Sequence, residues 1–206
     1  MIYRLFASIP LLGEMLRIFN TYAYRGDERA DRKCAPIWLW LTAFGLQITI
    51  AVVGALLCMP ELTNEYLPVA QRLLYHVQIS PGTMATSILP NLLGFGIGIY
   101  ALIFGLHKLL LRELQASFNQ SATHDKQPPG SVLILNAEMA VPLLILTLTI
   151  AIGLVQQVVP SFTGLQFVSW FSLWLSMVFT LELILTLFGL GENAILKTLA
   201  EASENK

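Results

Sequence analysis

The sequence predicts an all-α integral membrane protein, a bundle of four transmembrane helices with an amphipathic interfacial helix at its N-terminal end. Three observations carry this expectation. Of the 206 residues, 55% are hydrophobic and only 12% are charged, against roughly 25% charged in a soluble domain, so too few polar groups exist to cover a globule in water. Four runs are long enough to cross a hydrocarbon core, which takes about 20 apolar helical residues. Eleven of the twelve Lys and Arg precede the first run, lie between the second and third, or follow the fourth, leaving Arg72 alone on the other side. The positive-inside rule then places both termini in the cytoplasm and, in a bacterium, the spans in the inner membrane.

Residues 1–35 read as a cytoplasmic segment. Ile2, Leu5, Phe6, Ile9, Leu12 and Leu16 share one face of a helix over 1–20. Pro10 interrupts it, and Tyr22 and Tyr24 follow at interfacial positions. The expectation is a helix lying along the inner membrane surface, followed by the mixed-charge linker RGDERADRK at 25–33. Glu14 and Arg17 occupy the place where a signal peptide would carry its cleavage site, so no cleavable signal is expected.

The transmembrane domain covers 36–190. Span one runs from Pro36 to Met59 and span two from Met84 to Leu106, neither with a charge. Span three runs from Val132 to Val159 and holds Glu138; span four runs from Phe167 to Leu190 and holds Glu182. Between the first two, residues 61–82 form the one sizeable outer loop, where Val69, Leu73, Leu74 and Val77 suggest a short amphipathic helix. QSATHDKQPPGS at 120–131 is a polar, proline-containing inner loop. Residues 191–206 read as a cytoplasmic tail.

Span two contains SILPNLLGFGIGIYALIFGL (87–106), dense in residues that weaken helices in water. Ser87, Asn91, Gly94, Gly98, Ala101 and Gly105 recur at helical spacing and form one continuous small or polar face. In lipid, such a face lets two backbones approach closely and gain dispersion contacts. In span four, Ser169, Ser172, Ser176 and Thr180 form a small hydroxyl face with Trp170 and Trp174 turned elsewhere. This face is a candidate to pack on the glycine face, within one chain or between chains. Pro90 and Asn91 suggest a kink or cavity.

Intramembrane carboxylates are costly and are functional candidates by default. Glu138 and Glu182 lie at similar depth, roughly 9 and 12 Å inside the cytoplasmic ends of their spans, with Asn136 beside the first and Pro142 beyond it. Three readings stand. They pair with inner cations, Lys108 being best placed; they hydrogen-bond across helices as a proton-sensitive element; or they line an ion path.

Several classes are excluded or disfavoured. A net charge of −1 argues against direct nucleic-acid binding, which shows as a basic patch. Cys34 and Cys58 flank span one and are too far apart for a disulfide. His76, His107 and His124 fall in loops or at span ends without metal-ligand spacing. A phosphate-binding glycine loop lies between a strand and a helix, and Gly94-x-Gly96-x-Gly98 lies inside a span. No catalytic residues, cofactor or metal are expected, and the chain is not read as an enzyme.

In layout, and in residues 87–106, the chain resembles the KwaA family, the membrane subunits of the Kiwa anti-phage defence system. The resemblance covers most of the chain as a four-span plan with a short amphipathic N-terminus, and only those twenty residues as anything like a motif. It implies a homo-oligomer, such as a tetramer, in the bacterial inner membrane. It further implies a sensor of phage attachment or envelope disturbance that acts through a cytoplasmic DNA-binding partner of the KwaB type. The residues alone say that the chain works through a partner, through its own assembly or through a pore. A pore-forming or membrane-disrupting effector is the chief alternative, followed by a small transporter subunit.

Overall fold

The computed structural model describes residues 9–65, 67–75, 77–104 and 132–204. Six α-helices and no strand occur among the described residues: α1 (Leu12–Ala23), α2 (Ile37–Cys58), α3 (Pro60–Asn64), α4 (Pro81–Phe104), α5 (Val132–Val158) and α6 (Thr163–Glu204). Four of them, α2, α4, α5 and α6, are long and apolar enough to cross a membrane. The chain is an all-α, four-span membrane protein, as the hydropathy predicts.

The spans form as helices because lipid offers backbone groups no alternative partner. Their observed limits depart from the expected ones where local chemistry intervenes. α2 and α5 end within a residue of the expected limits. α4 starts three residues early, at Pro81, whose missing N–H costs nothing in a first turn; its expected end at Leu106 lies outside the described residues. α4 also continues through Pro90, and α5 through Pro142, so neither proline breaks its helix. α6 starts at Thr163 and does not stop at Leu190. The following ENAILKTLAEASE is rich in strong helix formers, so the expected separate tail continues the helix to Glu204.

α6 packs on α2, α4 and α5, while α4 and α5 pair along their lengths. The pairing is antiparallel, since Gly82 lies against Gly153 and Gln156 at one end and Tyr100 reaches Asn136 at the other. α1 fills the gap between α2 and α5 at the end where α2 begins. Its Ile18, Phe19 and Tyr22 pack against a cluster of Phe44, Val141, Ile145 and Phe179. The expected lipid-facing residues Ile9 and Leu12 remain exposed, so α1 has one face available to lipid and another docked in the bundle. Ile2, Leu5 and Phe6 lie outside the described residues. Beyond Phe19 the gap stays open as an apolar groove of about 560 Å3 between α2 and α5, floored by Phe171, Leu175 and Phe179 of α6.

Residue Asn20 holds α1 to the linker. It is fully buried. Its Nδ2 donates to the carbonyls of Ala30 (2.7 Å) and Lys33 (2.9 Å), and its Oδ1 accepts from the Ala35 amide (2.7 Å). Arg17 adds an exposed bond to Asp31 at 3.0 Å.

At the far end the loop does not form the expected amphipathic helix across Val69–Val77. It holds α3 and a single 3-10 turn, Val69–Gln71. Val69 and Leu74 are exposed, so these residues do not supply a buried stripe. The side chain of Asn64 clamps the loop instead, bonding both the amide (2.8 Å) and the carbonyl (2.9 Å) of Leu73.

Candidate functional site

Two polar side chains at the α1 end of the bundle converge on Glu182 of α6. Its carboxylate accepts from Tyr22 Oη of α1 at 3.0 Å and from Gln47 Nε2 of α2. Three helices are therefore tied at one side chain. Gln47 is nine-tenths buried, and its Oε1 is without a donor. Glu138 of α5 is half-buried and interacts electrostatically with Glu182 and with Arg25 of the linker. Burial pushes the Tyr22 hydroxyl well above the ordinary tyrosine value, and the negative charges of Glu182 and Glu138 push it further while Arg25 opposes them. Tyr22 is thus held as a hydrogen-bond donor.

The site has no Lys or Arg bonded to Glu182 among the described residues, and Lys108, the expected partner, lies outside them. Of the three readings, hydrogen bonding across helices describes the geometry of Glu182. Asn136, expected beside Glu138, turns toward α4, where its Oδ1 accepts from Tyr100 Oη at 2.8 Å. Chemically, the cluster concentrates two carboxylates among neutral donors. It contains no thiol or imidazole, and no group of three His, Cys, Asp or Glu among the described residues is placed to hold a metal. His76, His107 and His124 lie outside the described residues.

The two small-residue faces do not meet within the chain. Ser87, Asn91, Gly94, Gly98 and Ala101 are all exposed, and a Cβ built on Gly94 or Gly98 has no neighbour within 4 Å. Gly105 lies outside the described residues. The reason is rotational: α4 turns Ala85, Leu89, Gly96 and Ile103 inward instead. Ser169, Ser172 and Ser176 are buried, and the backbone beside them meets α5, where Thr149 Oγ1 donates to the Ser172 carbonyl at 3.1 Å. The hydroxyls of Ser172, Ser176 and Thr180 bond back to their own helix, which satisfies them locally, while Ser169 Oγ has no partner. Trp170 is also buried in the core, against the expectation that it turns away, whereas Trp174 is exposed.

The close helix contacts fall on other glycines. A Cβ at Gly82 would sit 2.5 Å from the Gly153 carbonyl oxygen, one at Gly153 would sit 2.9 Å from Ala85 Cβ, and one at Gly96 would sit 2.6 Å from Leu143. A Cβ at Gly54 would strike the Trp174 ring at 2.5 Å. Sequence reasoning missed these positions, and it missed Gln47, Tyr22 and Asn20 as polar partners. Gln47 carried a usable signal, being the one amide in span one, which has no charge. Cys34 and Cys58 are free, at opposite ends of a helix about 33 Å long. Comparison with protein families, curated proteins and solved structures finds no match to this chain.

Proposed function

We propose that the chain is a non-enzymatic, homo-oligomeric subunit of the bacterial inner membrane that signals to a cytoplasmic partner, in an anti-phage role of the Kiwa type. The observation that carries this reading is the tie at Glu182. It joins α1, the helix nearest the charged linker, to the interior of α2 and α6. A shift of the spans relative to one another would move α1 and the 25–33 linker with it, because packed interfaces switch between discrete arrangements. The charge asymmetry supports inner-side placement for α1, the 107–131 loop and the C-terminal end of α6. The exposed stripe of Ser87, Asn91, Gly94, Gly98 and Ala101 on α4 supports self-assembly, since a polar Asn91 and bare glycine backbone are poorly matched to lipid.

The test is a pull-down from membranes with the intact chain, and with residues 120–130 and the C-terminal end replaced by Gly/Ser. The reading expects a cytoplasmic protein, of the KwaB type if the resemblance holds, on the intact chain and its loss on the replaced one. A second reading draws on Asn91 alone: copies meeting around α4 could turn it toward water and form a pore. If the intact chain retains no partner and permeabilises vesicles by itself, that effector reading replaces the first.

A further inference from the structure

The cluster at Glu182 holds an oxygen that no described residue satisfies. Gln47 is only 8% exposed, and its buried Oε1 has no hydrogen-bond partner. Its Nε2 donates to the Glu182 carboxylate, and a side-chain amide is planar, so the same bond fixes Oε1 beside that carboxylate. Buried acceptors are nearly always satisfied. One held next to a carboxylate calls for a positive or protic partner that the two oxygens share.

The bonding and the charge decide which partner fits. Both oxygens of Glu182 accept, one from Tyr22 Oη at 3.0 Å and the other from Gln47 Nε2. That is the pattern of an ionised carboxylate, and it uses two of about four lone-pair positions. Glu138 of α5 acts electrostatically on Glu182, and burial and the field of Arg25, with no hydrogen bond, complete its described surroundings. Tyr22 is held protonated, and Arg25 is the one cation among the described residues that acts on Tyr22 and Glu138. Two carboxylates against one guanidinium leave the cluster a single positive charge short, where lipid makes an uncompensated charge costly. A water would satisfy Gln47 Oε1 and leave the charge. A proton on Glu182 would remove the charge and compete with one of its two donors. A monovalent cation meets both needs. Carboxylate and amide oxygens are hard donors, which suit alkali and alkaline-earth ions, whereas transition metals draw on imidazole and thiolate. The single missing charge selects the monovalent ion.

We infer that Gln47 Oε1 and the Glu182 carboxylate coordinate a monovalent metal cation, with Glu138 supplying the second negative charge. Such binding holds whether or not the chain signals to a partner, so a failed ion measurement and a failed pull-down are separate results. The test uses radiolabelled Na+ and the full chain in phosphatidylcholine nanodiscs, which bring no anionic lipid of their own. Ionic strength is held constant with choline chloride, so that screening does not change. Saturable binding is expected, displaced by unlabelled NaCl and not by further choline chloride. Glu138→Gln keeps the shape of the side chain and breaks no hydrogen bond among the described residues, and should weaken binding at least about tenfold. Gln47→Met keeps the length, removes the oxygen and should do the same; if it fails to fold, Glu138→Gln still decides. Glu65→Gln removes an exposed carboxylate beyond the other end of α2 and should leave binding unchanged. Absence of saturable Na+ binding overturns the inference and leaves the oxygen to a water or a proton. Binding that Glu138→Gln leaves intact, or that Glu65→Gln weakens equally, overturns it as well, since the ion would then lie elsewhere.

Discussion

Replacing Gly82 by Ala should unsettle the bundle, and replacing Gly98 by Ala should not. At Gly82 the added Cβ would overlap Gln156 Oε1 and would sit 2.5 Å from the Gly153 carbonyl oxygen, short of ordinary contact at 3.4 Å by about 0.9 Å. The second neighbour is backbone of a packed helix and cannot rotate aside, so α4 and α5 must separate at this end. Overpacking of this kind costs about 1–3 kcal/mol. The separation also stretches the bonds that join the Gly82 amide to Gln156 at 3.2 Å and the Gly82 carbonyl to Gln157 at 3.0 Å, each worth about 1 kcal/mol. The expected loss is about 2–4 kcal/mol. At Gly98 nothing lies within 4 Å, and Ala is the better helix former by up to about 1 kcal/mol in water, so the variant should match or exceed wild type. The assay is SDS-driven unfolding in mixed micelles followed by far-UV circular dichroism, in a detergent where native mass spectrometry shows single chains. Wild-type stability in Gly82→Ala together with a loss of about 2 kcal/mol or more in Gly98→Ala would refute the packing register.

Four further outcomes are expected. Gly98→Leu should leave single-chain stability intact and disrupt assembly, while Ile99→Leu stays mild in both; equal native-mass profiles for the two variants would remove the case for the exposed α4 stripe as an interface. Asn20→Ala removes the bonds to the Ala30 and Lys33 carbonyls and from the Ala35 amide, with a loss of about 2–4 kcal/mol and faster hydrogen exchange across α1 and 25–35; unchanged exchange there would contradict the latch. Glu182→Leu strands Tyr22 and Gln47, whereas Glu182→Gln keeps an acceptor, so the Leu variant should be the less stable by about 2 kcal/mol; a Gln variant as unstable as the Leu variant would make charge, not hydrogen bonding, the essential property. The raised Tyr22 hydroxyl stabilises the fold fully below the ordinary tyrosine value of about 10, and that stability is lost as pH rises above it, so melting between pH 9 and 11 should fall more steeply in wild type than in Tyr22→Phe.

Hydropathy and charge placement in the sequence were enough to determine the class, the number of spans and most of their limits. An uncharged apolar run has one stable form in lipid, because the backbone must satisfy itself, and this holds whatever the neighbours are. The same logic singled out Glu138 and Glu182, since a carboxylate in such a run stands out against its background. What only the tertiary structure decided is which side of each helix meets which neighbour. α4 carries glycine on both its exposed face, at Gly94 and Gly98, and its packed face, at Gly82 and Gly96. With lipid on one side and apolar protein on the other, hydropathy does not tell the two faces apart. The partners of Glu182 were hidden for a related reason: Tyr22 and Gln47 lie 160 and 135 residues away in the chain, and no local pattern links them.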